Sequence, residues 1–300
     1  MKIQLHSPLI TGGLVHKIEV FKASKICLAY KEMGIDVSRF FDKLENVELL
    51  ECEGTGYRFY YPFSTIGDAG FYKDLSTIRK DYYSIRWEHL KILPSLAKNE
   101  NVLEIGSGFG AFLKLLKSNE ITAEGIELNP EAINVCKKQN LTIHNELIED
   151  FAIKHKEHYD VVCFFQVLEH ITNVHDFIEN ALLTLKPNGK LIIGVPNNNP
   201  FLYVNDKYHT LNLPPHHAGL WNNKAFKSLE SIFDVQLTSL QYEPLEKTYS
   251  QFLRAYIRNS NFIYSKILRI ANKIVPKVLK FILCKYIDGR NILVVFTKVR

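Results

Sequence analysis

The chain has 300 residues, a hydrophobic share of 46%, five cysteines and a formal net charge of +5. Because the cysteines form no CxxC pairs and no framework spacing, they exclude a disulfide-rich module and a four-cysteine zinc site, and we predict no structural metal. No run of about eighteen apolar residues exists, which excludes a segment able to span a bilayer. The length allows one α/β domain with additions before and after it.

The N-terminal segment, residues 1 to 95, is rich in aromatic side chains, which predicts a packed cap and not a flexible tail. Arg86 and Glu88 flank a tryptophan on a helical pattern, so they either reach a ligand or form a surface ion pair. Residues 1 to 10 lack a basic stretch followed by a long apolar run, and the cysteine count is odd, so we expect a cytoplasmic protein. The aromatics are Tyr57, Phe59, Tyr60, Tyr61, Phe63, Phe71, Tyr72, Tyr82, Tyr83 and Trp87.

An apolar strand pattern over residues 101 to 106 runs into three alternating glycines, Gly106, Gly108 and Gly110. Such glycines let a strand turn abruptly into a helix and let backbone N–H groups approach a ligand. Glu127 follows about twenty residues later, at the end of the next strand pattern, where it can accept both hydroxyls of a ribose. This combination predicts a site for a nucleotide-shaped cofactor.

The glycine pattern also fits GxGxxA through Ala111, which an NAD-dependent oxidoreductase could use. Glu104 favours a different cofactor, because its carboxylate would point into the crevice and repel a pyrophosphate. A cationic ligand would bind there instead. Residues 103 to 110 resemble the first motif of class I S-adenosylmethionine-dependent methyltransferases, whose cofactor carries an ammonium and a sulfonium.

The resemblance continues downstream at the intervals of that family. Residues 123 to 130 match its second strand and residues 159 to 170 its fourth, and the step Glu149-Asp150-Phe151 between them would hold the adenine, with Asp150 the preferred contact. The resemblance implies S-adenosylmethionine as the cofactor. The cofactor-binding residues that it implies are Glu104, Gly106, Ser107, Gly108, Gly110, Glu127, Leu128, Glu149, Asp150, Phe151, Gln166 and Val167.

Apolar runs alternate with helical patterns near residues 101 to 106, 123 to 127, 141 to 144, 159 to 165 and 190 to 195. This alternation predicts a doubly wound α/β fold, a mainly parallel sheet with helices on both faces. The resemblance implies seven strands, the sixth near residues 233 to 240 and an antiparallel seventh over residues 291 to 297. The predicted parts of the chain are a cap (1 to 95), a methyltransferase core (96 to 245), a helical insertion (246 to 290) and the last core strand (291 to 300).

Three histidines are candidates for the acceptor side of the site. His216 and His217 lie in the Pro-Pro-His-His segment after the fifth strand, and His170 follows the fourth strand. A histidine near the reactive methyl favours O-methylation, because an alcohol must lose a proton as it attacks. The structural alternatives are a helix cap or a solvent position for the histidine pair and an orienting role for His170. Tentative acceptor contacts are Arg86, Asn197 and Trp221.

The aromatic N-terminal segment and the Pro-Pro-His-His segment resemble a branch of the family that often modifies glycans or small molecules. The zinc ribbon that opens this region in part of that branch has no equivalent in this chain. The resemblance implies an O-methyltransferase acting on a sugar or a related small polar acceptor in glycan biosynthesis. N- or C-methylation of a small metabolite, an NAD-dependent oxidoreductase and a non-catalytic cofactor-binding protein remain alternatives.

The segment from residue 247 to residue 290 is chemically unlike the rest of the chain. It contains ten Lys or Arg and one acid, Asp288, hence +9, which leaves −4 for the other residues out of a total of +5. Apolar residues recur among the cations at helical spacing, which predicts a pair of basic amphipathic helices broken near Pro276. Such helices either make peripheral contact with an anionic membrane or pack as a lid on the core. Nucleic acid is an unfavourable partner, because the aliphatic side chains would gain nothing against phosphate.

Overall fold

Two β-sheets organise the chain, whose computed structural model describes residues 5–78, 84–198 and 207–299. Tyr82 and Tyr83 of the aromatic segment lie outside the described residues. The strands are β1 (Val15–Lys22), β2 (Asn46–Cys52), β3 (Arg58–Tyr61), β4 (Asn101–Ile105), β5 (Thr122–Ile126), β6 (Thr142–His144), β7 (Tyr159–Phe165), β8 (Leu185–Pro196), β9 (Gly219–Leu220), β10 (Val235–Pro244) and β11 (Asp288–Lys298).

Helices connect these strands and cover the sheets. They are α1 (Ala23–Glu32), α2 (Ala69–Ile78), α3 (Trp87–Ile92), α4 (Ala111–Ser118), α5 (Pro130–Lys138), α6 (Ile148–Lys154), α7 (Val174–Thr184), α8 (Asn223–Ser228), α9 (Tyr249–Asn259), α10 (Phe262–Ile274) and α11 (Pro276–Tyr286).

The large sheet has seven strands within the described ranges, in the order β10-β11-β8-β7-β4-β5-β6. Neighbours from β8 to β6 run parallel, whereas β11 is antiparallel to both β8 and β10. Strand β7 is buried along almost its whole length, as expected of an inner parallel strand covered on both faces. The predicted doubly wound α/β fold with an antiparallel seventh strand is therefore confirmed.

Two strands differ from their predicted bounds. The fifth core strand, β8, begins at Leu185 instead of residue 190, because Leu185 already pairs with Tyr159 before a shift in register at Val161 and Lys190. The sixth, β10, covers 235–244 instead of 233–240, because its pairing with β11 extends from Val235 to Pro244. Pairing with neighbouring strands, β7 for β8 and β11 for β10, therefore sets the ends that the apolar runs alone misplaced.

The small sheet, in the order β1-β2-β3-β9, is antiparallel throughout. Its first three strands come from the N-terminal segment, and its fourth, Gly219–Leu220, follows the Pro-Pro-His-His segment. Phe21, Tyr30, Tyr60 and Phe71 are all buried under this sheet. The aromatic segment is thus packed, and its sheet is completed by β9, which follows the parallel strands of the large sheet along the chain.

The insertion between β10 and β11 contains three helices and not the predicted pair. The additional helix, α9, forms because residues 249–259 have their own amphipathic pattern, with Tyr249, Phe252 and Leu253 buried. Pro276 occupies the first turn of α11, where its missing N–H costs nothing. Within the described ranges, every helix is too short or too polar to cross a membrane.

Candidate active site

A cleft opens at the edge where the parallel strands of the large sheet end. Its outer part, of about 350 Å³, is lined by residues that follow β4, β5 and β7, among them Glu127, Leu128, Val167 and His170. An inner part of about 70 Å³ is lined by Arg86, Glu104, Ser107, Gly108 and Gln166, with others. Gly106 borders both parts, so they adjoin at the glycine turn.

The turn from β4 into α4 requires glycine for conformational and for steric reasons. Gly106, Gly108 and Gly110 have φ values of +74°, +53° and +74°, in the left-handed region that side chains disfavour. A Cβ on Gly106 would lie 2.5 Å from Cγ2 of Val167, and one on Gly110 would lie 2.5 Å from Cδ1 of Leu141. Only glycine at these positions allows the tight turn that brings the backbone close to a ligand.

Glu127, at the end of β5, is held by backbone N–H groups. Gly108 donates to its Oε2 at 2.7 Å, and Leu128 and Asn129 donate to its Oε1 at 2.8 Å each. These bonds orient the carboxylate at the cleft, and its remaining lone pairs can accept hydroxyl donors. The geometry fits the predicted ribose ligand.

Glu104 is a buried acid on the inner part of the cleft. It is 4% exposed, and its Oε2 has no hydrogen-bond partner among the described residues. Burial raises the pKa of Glu104 well above its usual value, and repulsion from Glu127 adds to this effect. A buried carboxyl with one oxygen lacking a partner is a fitting contact for a cationic ligand group.

Gln166 leaves β7 with a φ of +57°, which is strained for a residue other than glycine. Its backbone N–H donates to the carbonyl oxygen of Gly194 at 2.7 Å, and its Nε2 donates to Oε1 of Glu88 at 2.9 Å. These bonds hold the side chain on the inner part of the cleft, whereas Val167 lines the outer part. The strand end therefore presents the two residues to opposite halves of the groove.

His170, His216 and His217 form a cluster beside the outer part of the cleft, which we call the histidine cluster. The ring centroids lie 4.7 Å apart for His170 and His216, 5.1 Å for His170 and His217, and 4.5 Å for His216 and His217. Nδ1 of His170 donates to the carbonyl oxygen of His216 at 2.6 Å, and Nδ1 of His216 donates to that of Leu211 at 2.9 Å. In the neutral form, both bonds select the tautomer whose lone pair is on Nε2.

Burial keeps two of these imidazoles neutral. It lowers the pKa of His170 to about 4, against the opposing effect of two backbone carbonyls, and it lowers the pKa of His217 well below its usual value. Nδ1 of His217 has no hydrogen-bond partner in the described part of the chain. Burial also raises the pKa of the adjacent Glu169 to about 8. At neutral pH the cluster therefore contains imidazoles able to accept a proton.

The same histidines are also a donor set for a metal. One ring nitrogen each from His170, His216 and His217 lies within 4.8 Å of the others. Three histidines are a known ligand set for a catalytic divalent ion. Our prediction of no structural metal rested on the cysteines and did not consider histidines that the fold brings together, so it stays a prediction.

Comparison with known proteins identifies the family. A family model described as a methyltransferase domain matches residues 78–238, more than half of the chain. The chain belongs to this methyltransferase family. Two similar proteins are ubiquinone biosynthesis O-methyltransferases. That of Nitrosospira multiformis is 26% identical over 226 residues, 68% of this chain and 89% of the relative, and that of Saccharophagus degradans is 24% identical over 197 residues, 59% and 78% respectively.

A solved structure agrees with the fold of the methyltransferase. The SAM-dependent methyltransferase from Archaeoglobus fulgidus has a TM-score of 0.52 and 16% identity, over 76% of this chain and 100% of that chain. The protein is thus a class I methyltransferase that uses S-adenosylmethionine. The groove fits this cofactor, because the glycine turn lets the protein backbone approach a ligand and two acids, Glu104 and Glu127, line the cleft.

The predicted adenine step of the methyltransferase lies in helix α6, beside the outer cleft. Glu149 lines the outer cleft, whereas Asp150, the contact we preferred, is exposed and outside the lining. Phe151 is fully buried and stacks on His155 at a centroid distance of 4.0 Å, so it supports the wall from behind. The lining favours Glu149, and the choice between the two acids stays a prediction.

Of the three tentative acceptor contacts, one lines the cleft and two are buried away from it. Arg86 lines the inner cleft, as required of a ligand contact. Asn197 is fully buried and bonds to the start of β11, with its Nδ2 donating to the carbonyl oxygen of Gly289 at 3.0 Å. Trp221 is also fully buried, between Tyr57 and Phe226 in the core. The structure therefore keeps only Arg86 at the cleft, and it buries Asn197 and Trp221 for packing.

The positions of three residues near the site could not be derived from local sequence pattern. The hydroxyl of Tyr72 donates to the carbonyl oxygen of His216 at 3.2 Å, so the N-terminal cap contacts the histidine cluster. Glu88 is buried and bonded to Gln166, which excludes the surface ion pair considered above. Glu169 was visible only as a neighbour of His170. All three positions depend on contacts between segments far apart in the chain.

Proposed function

We propose that this methyltransferase O-methylates a sugar or a related small polar acceptor, with the histidine cluster as the proton acceptor. The single observation that carries the proposal is the contact of His170, His216 and His217 beside the cofactor cleft, with imidazoles that burial keeps neutral. General-base catalysis needs such an unprotonated nitrogen at the acceptor.

The cofactor supplies, when bound, a methyl group already activated by its sulfonium. The chain must then align the acceptor and remove one proton. When the acceptor hydroxyl takes the methyl group, its proton would pass to Nε2 of a cluster histidine. His216 suits this role because the bond from its Nδ1 to Leu211 selects the Nε2 lone pair.

Polar side chains around the inner cleft support a hydroxyl-rich acceptor. Gln166 bonds to Glu88, and Nδ2 of Asn291 donates to Oε2 of Glu243 at 2.9 Å. Oε2 of Glu88 and Oε2 of Glu169 have no hydrogen-bond partner within the described ranges, so the buried polar region behind Gln166 keeps unused hydrogen-bonding capacity. The names of the similar O-methyltransferases support oxygen as the methylated atom, although those names specify ubiquinone biosynthesis and not a sugar.

The test combines an acceptor panel with matched histidine variants. The full chain is incubated with S-adenosylmethionine and nucleotide sugars, free sugars, phenols or amines, and methylated products are identified by mass spectrometry. We expect an O-methylated sugar, and we expect His216→Gln or His217→Gln to lower kcat by about 10²- to 10⁴-fold with unchanged binding of S-adenosylhomocysteine. His158→Gln, at an exposed position, is the control.

Other outcomes would replace the proposal. Methylated amines or carbon atoms would assign a different acceptor class, and wild-type turnover in both cluster variants would remove the general-base role. Binding of cofactor without any product across the panel would support a non-catalytic protein. We expect no effect of EDTA, so a loss of turnover with EDTA that a divalent ion restores would make the cluster a metal site.

A further inference from the structure

The three helices of the insertion, α9 to α11, form a surface that the rest of the fold leaves uncovered. We call these three helices the basic helices, and we propose that they dock on an anionic membrane through this surface. Helices α10 and α11 contain no buried residue over residues 262–286. The alternative of a lid packed on the core with only its charges in water does not describe them.

The exposed apolar side chains of α10 form one stripe. Ile263, Ile267, Ile270 and Ile274 are 68%, 55%, 48% and 71% exposed. Their spacing of four, three and four residues places them along a single face of the helix. In α11 the exposed apolar residues are Val278, Phe281 and Ile282. A continuous apolar surface of this kind marks a binding site.

The opposite side of α11 is already occupied. Leu279, Leu283 and Ile287 pack against the buried residues Phe252 and Leu253 of α9. Helices α9 and α11 therefore share a small core of their own. The exposed stripe is additional to that core, so folding of this segment does not account for it.

Charge identifies the occupant. Residues 249 to 287 contain no Asp or Glu, and the cations of α10 and α11 alternate with the apolar stripe. A second copy of the chain would place cations opposite cations in a symmetric interface, which is unfavourable. An anionic bilayer satisfies both features, because its headgroups attract the cations while its interface takes up the apolar residues. The cations are Lys266, Arg269, Lys273, Lys277, Lys280 and Lys285.

Aromatic side chains at the helix ends fit the same surface. Phe262, Tyr264 and Tyr286 are 81%, 61% and 76% exposed. Aromatic rings are favoured at the level of lipid headgroups. The basic helices also begin and end at the cleft edge of the large sheet, since Pro244 pairs with Asp288 and Pro196 pairs with Asn291.

The test uses the full chain and sedimentation with lipid vesicles. We expect binding to vesicles that contain phosphatidylserine at low ionic strength, weaker binding at high ionic strength, and little binding to pure phosphatidylcholine. Each cation near such a surface contributes about fivefold to partitioning, so Lys273→Glu with Lys277→Glu should weaken binding by about 25-fold or more. Ile267→Gln with Ile270→Gln should weaken it by at least about tenfold.

A matched control has the same change of charge elsewhere. Lys137→Glu with Lys138→Glu changes two exposed lysines at the end of α5 and should leave vesicle binding within about twofold of the wild type. Stabilisation by S-adenosylhomocysteine shows that each variant is folded. No sedimentation at low salt would overturn the proposal, as would wild-type binding by the isoleucine variant. A solution dimer that the isoleucine variant dissociates would assign the stripe to a second copy instead.

Discussion

We expect Glu104 to link the binding of the cofactor to the release of a proton. Because burial and Glu127 raise its pKa, the carboxyl favours its protonated form when the cleft holds no cation. A bound ammonium favours the ionised form, so binding should release a proton. Affinity should therefore rise with pH below the raised pKa of Glu104 and level off above it.

Glu104→Gln keeps the size of the side chain and removes its charge. We expect affinity for S-adenosylmethionine to fall by about 10- to 100-fold, the usual value of a hydrogen bond to a charged group. Calorimetric titration in two buffers with different ionisation enthalpies measures the released proton, which the variant should lack. Glu32→Gln, at an exposed position on α1, is the control. Binding by the wild type without proton release would contradict this prediction.

At the scale of elements, the strand-to-helix turn depends on Gly110. A Cβ there would meet Leu141 at 2.5 Å and Sγ of Cys136 at 2.9 Å, and the φ is unfavourable as well. We expect Gly110→Ala to lower the free energy of unfolding by about 2–4 kcal/mol, measured by urea denaturation. Gly12→Ala shares a positive φ but has no atom within 4 Å of its Cβ among the described residues. It should cost about 1–2 kcal/mol, and an equal loss in both variants would refute the steric explanation.

The sequence predicted the elements that depend on local pattern. Strand β7 was located correctly because an apolar run buried on both faces is visible without its neighbours. The turn at Gly106 was visible because only glycine adopts its conformation readily. The start of β8 was misplaced because it depends on pairing with β7, and the bounds of β10 were misplaced because they depend on pairing with β11.

The site was harder to predict where side-chain direction matters. The choice between Glu149 and Asp150 depends on the phase of a short helix, which periodicity does not fix to one residue. The contact of Tyr72 with His216 joins residues 144 positions apart. Such contacts follow from packing of the cap on the core, and local residue spacing does not predict them.

At the scale of the whole molecule, buried titratable groups limit stability on both sides of neutrality. Histidines held neutral, such as His170 with a pKa of about 4 against a usual 6.5, stabilise the fold above pH 6.5 and lose this contribution as the pH falls toward 4. Glu169 acts in the opposite direction. Its folded pKa of about 8 against a usual 4.5 means that its contribution is lost as the pH rises from 4.5 to 8.

Glu169→Gln mimics the protonated acid at every pH. We expect the melting temperature of the wild type to fall between pH 6.5 and 8.5, and that of the variant to fall less. The free energy of unfolding of Glu169→Gln should exceed that of the wild type by up to about 3 kcal/mol at pH 7. Thermal denaturation across this range measures both effects, with Glu32→Gln as the control. Parallel curves for wild type and Glu169→Gln would show that Glu169 is not the group responsible.

The fourth strand of the small sheet, β9, can pair with β3 only late in synthesis. Arg58 pairs with Leu220, and the N–H of Tyr60 donates to the carbonyl oxygen of Ala218. During translation the edge of β3 therefore stays open until every parallel strand of the large sheet has been made. Open edges pair readily with other chains, and late closure of long loops slows folding. A nascent chain stalled before Gly219 would expose the unpaired edge of β3. We therefore expect such a chain to aggregate on the ribosome.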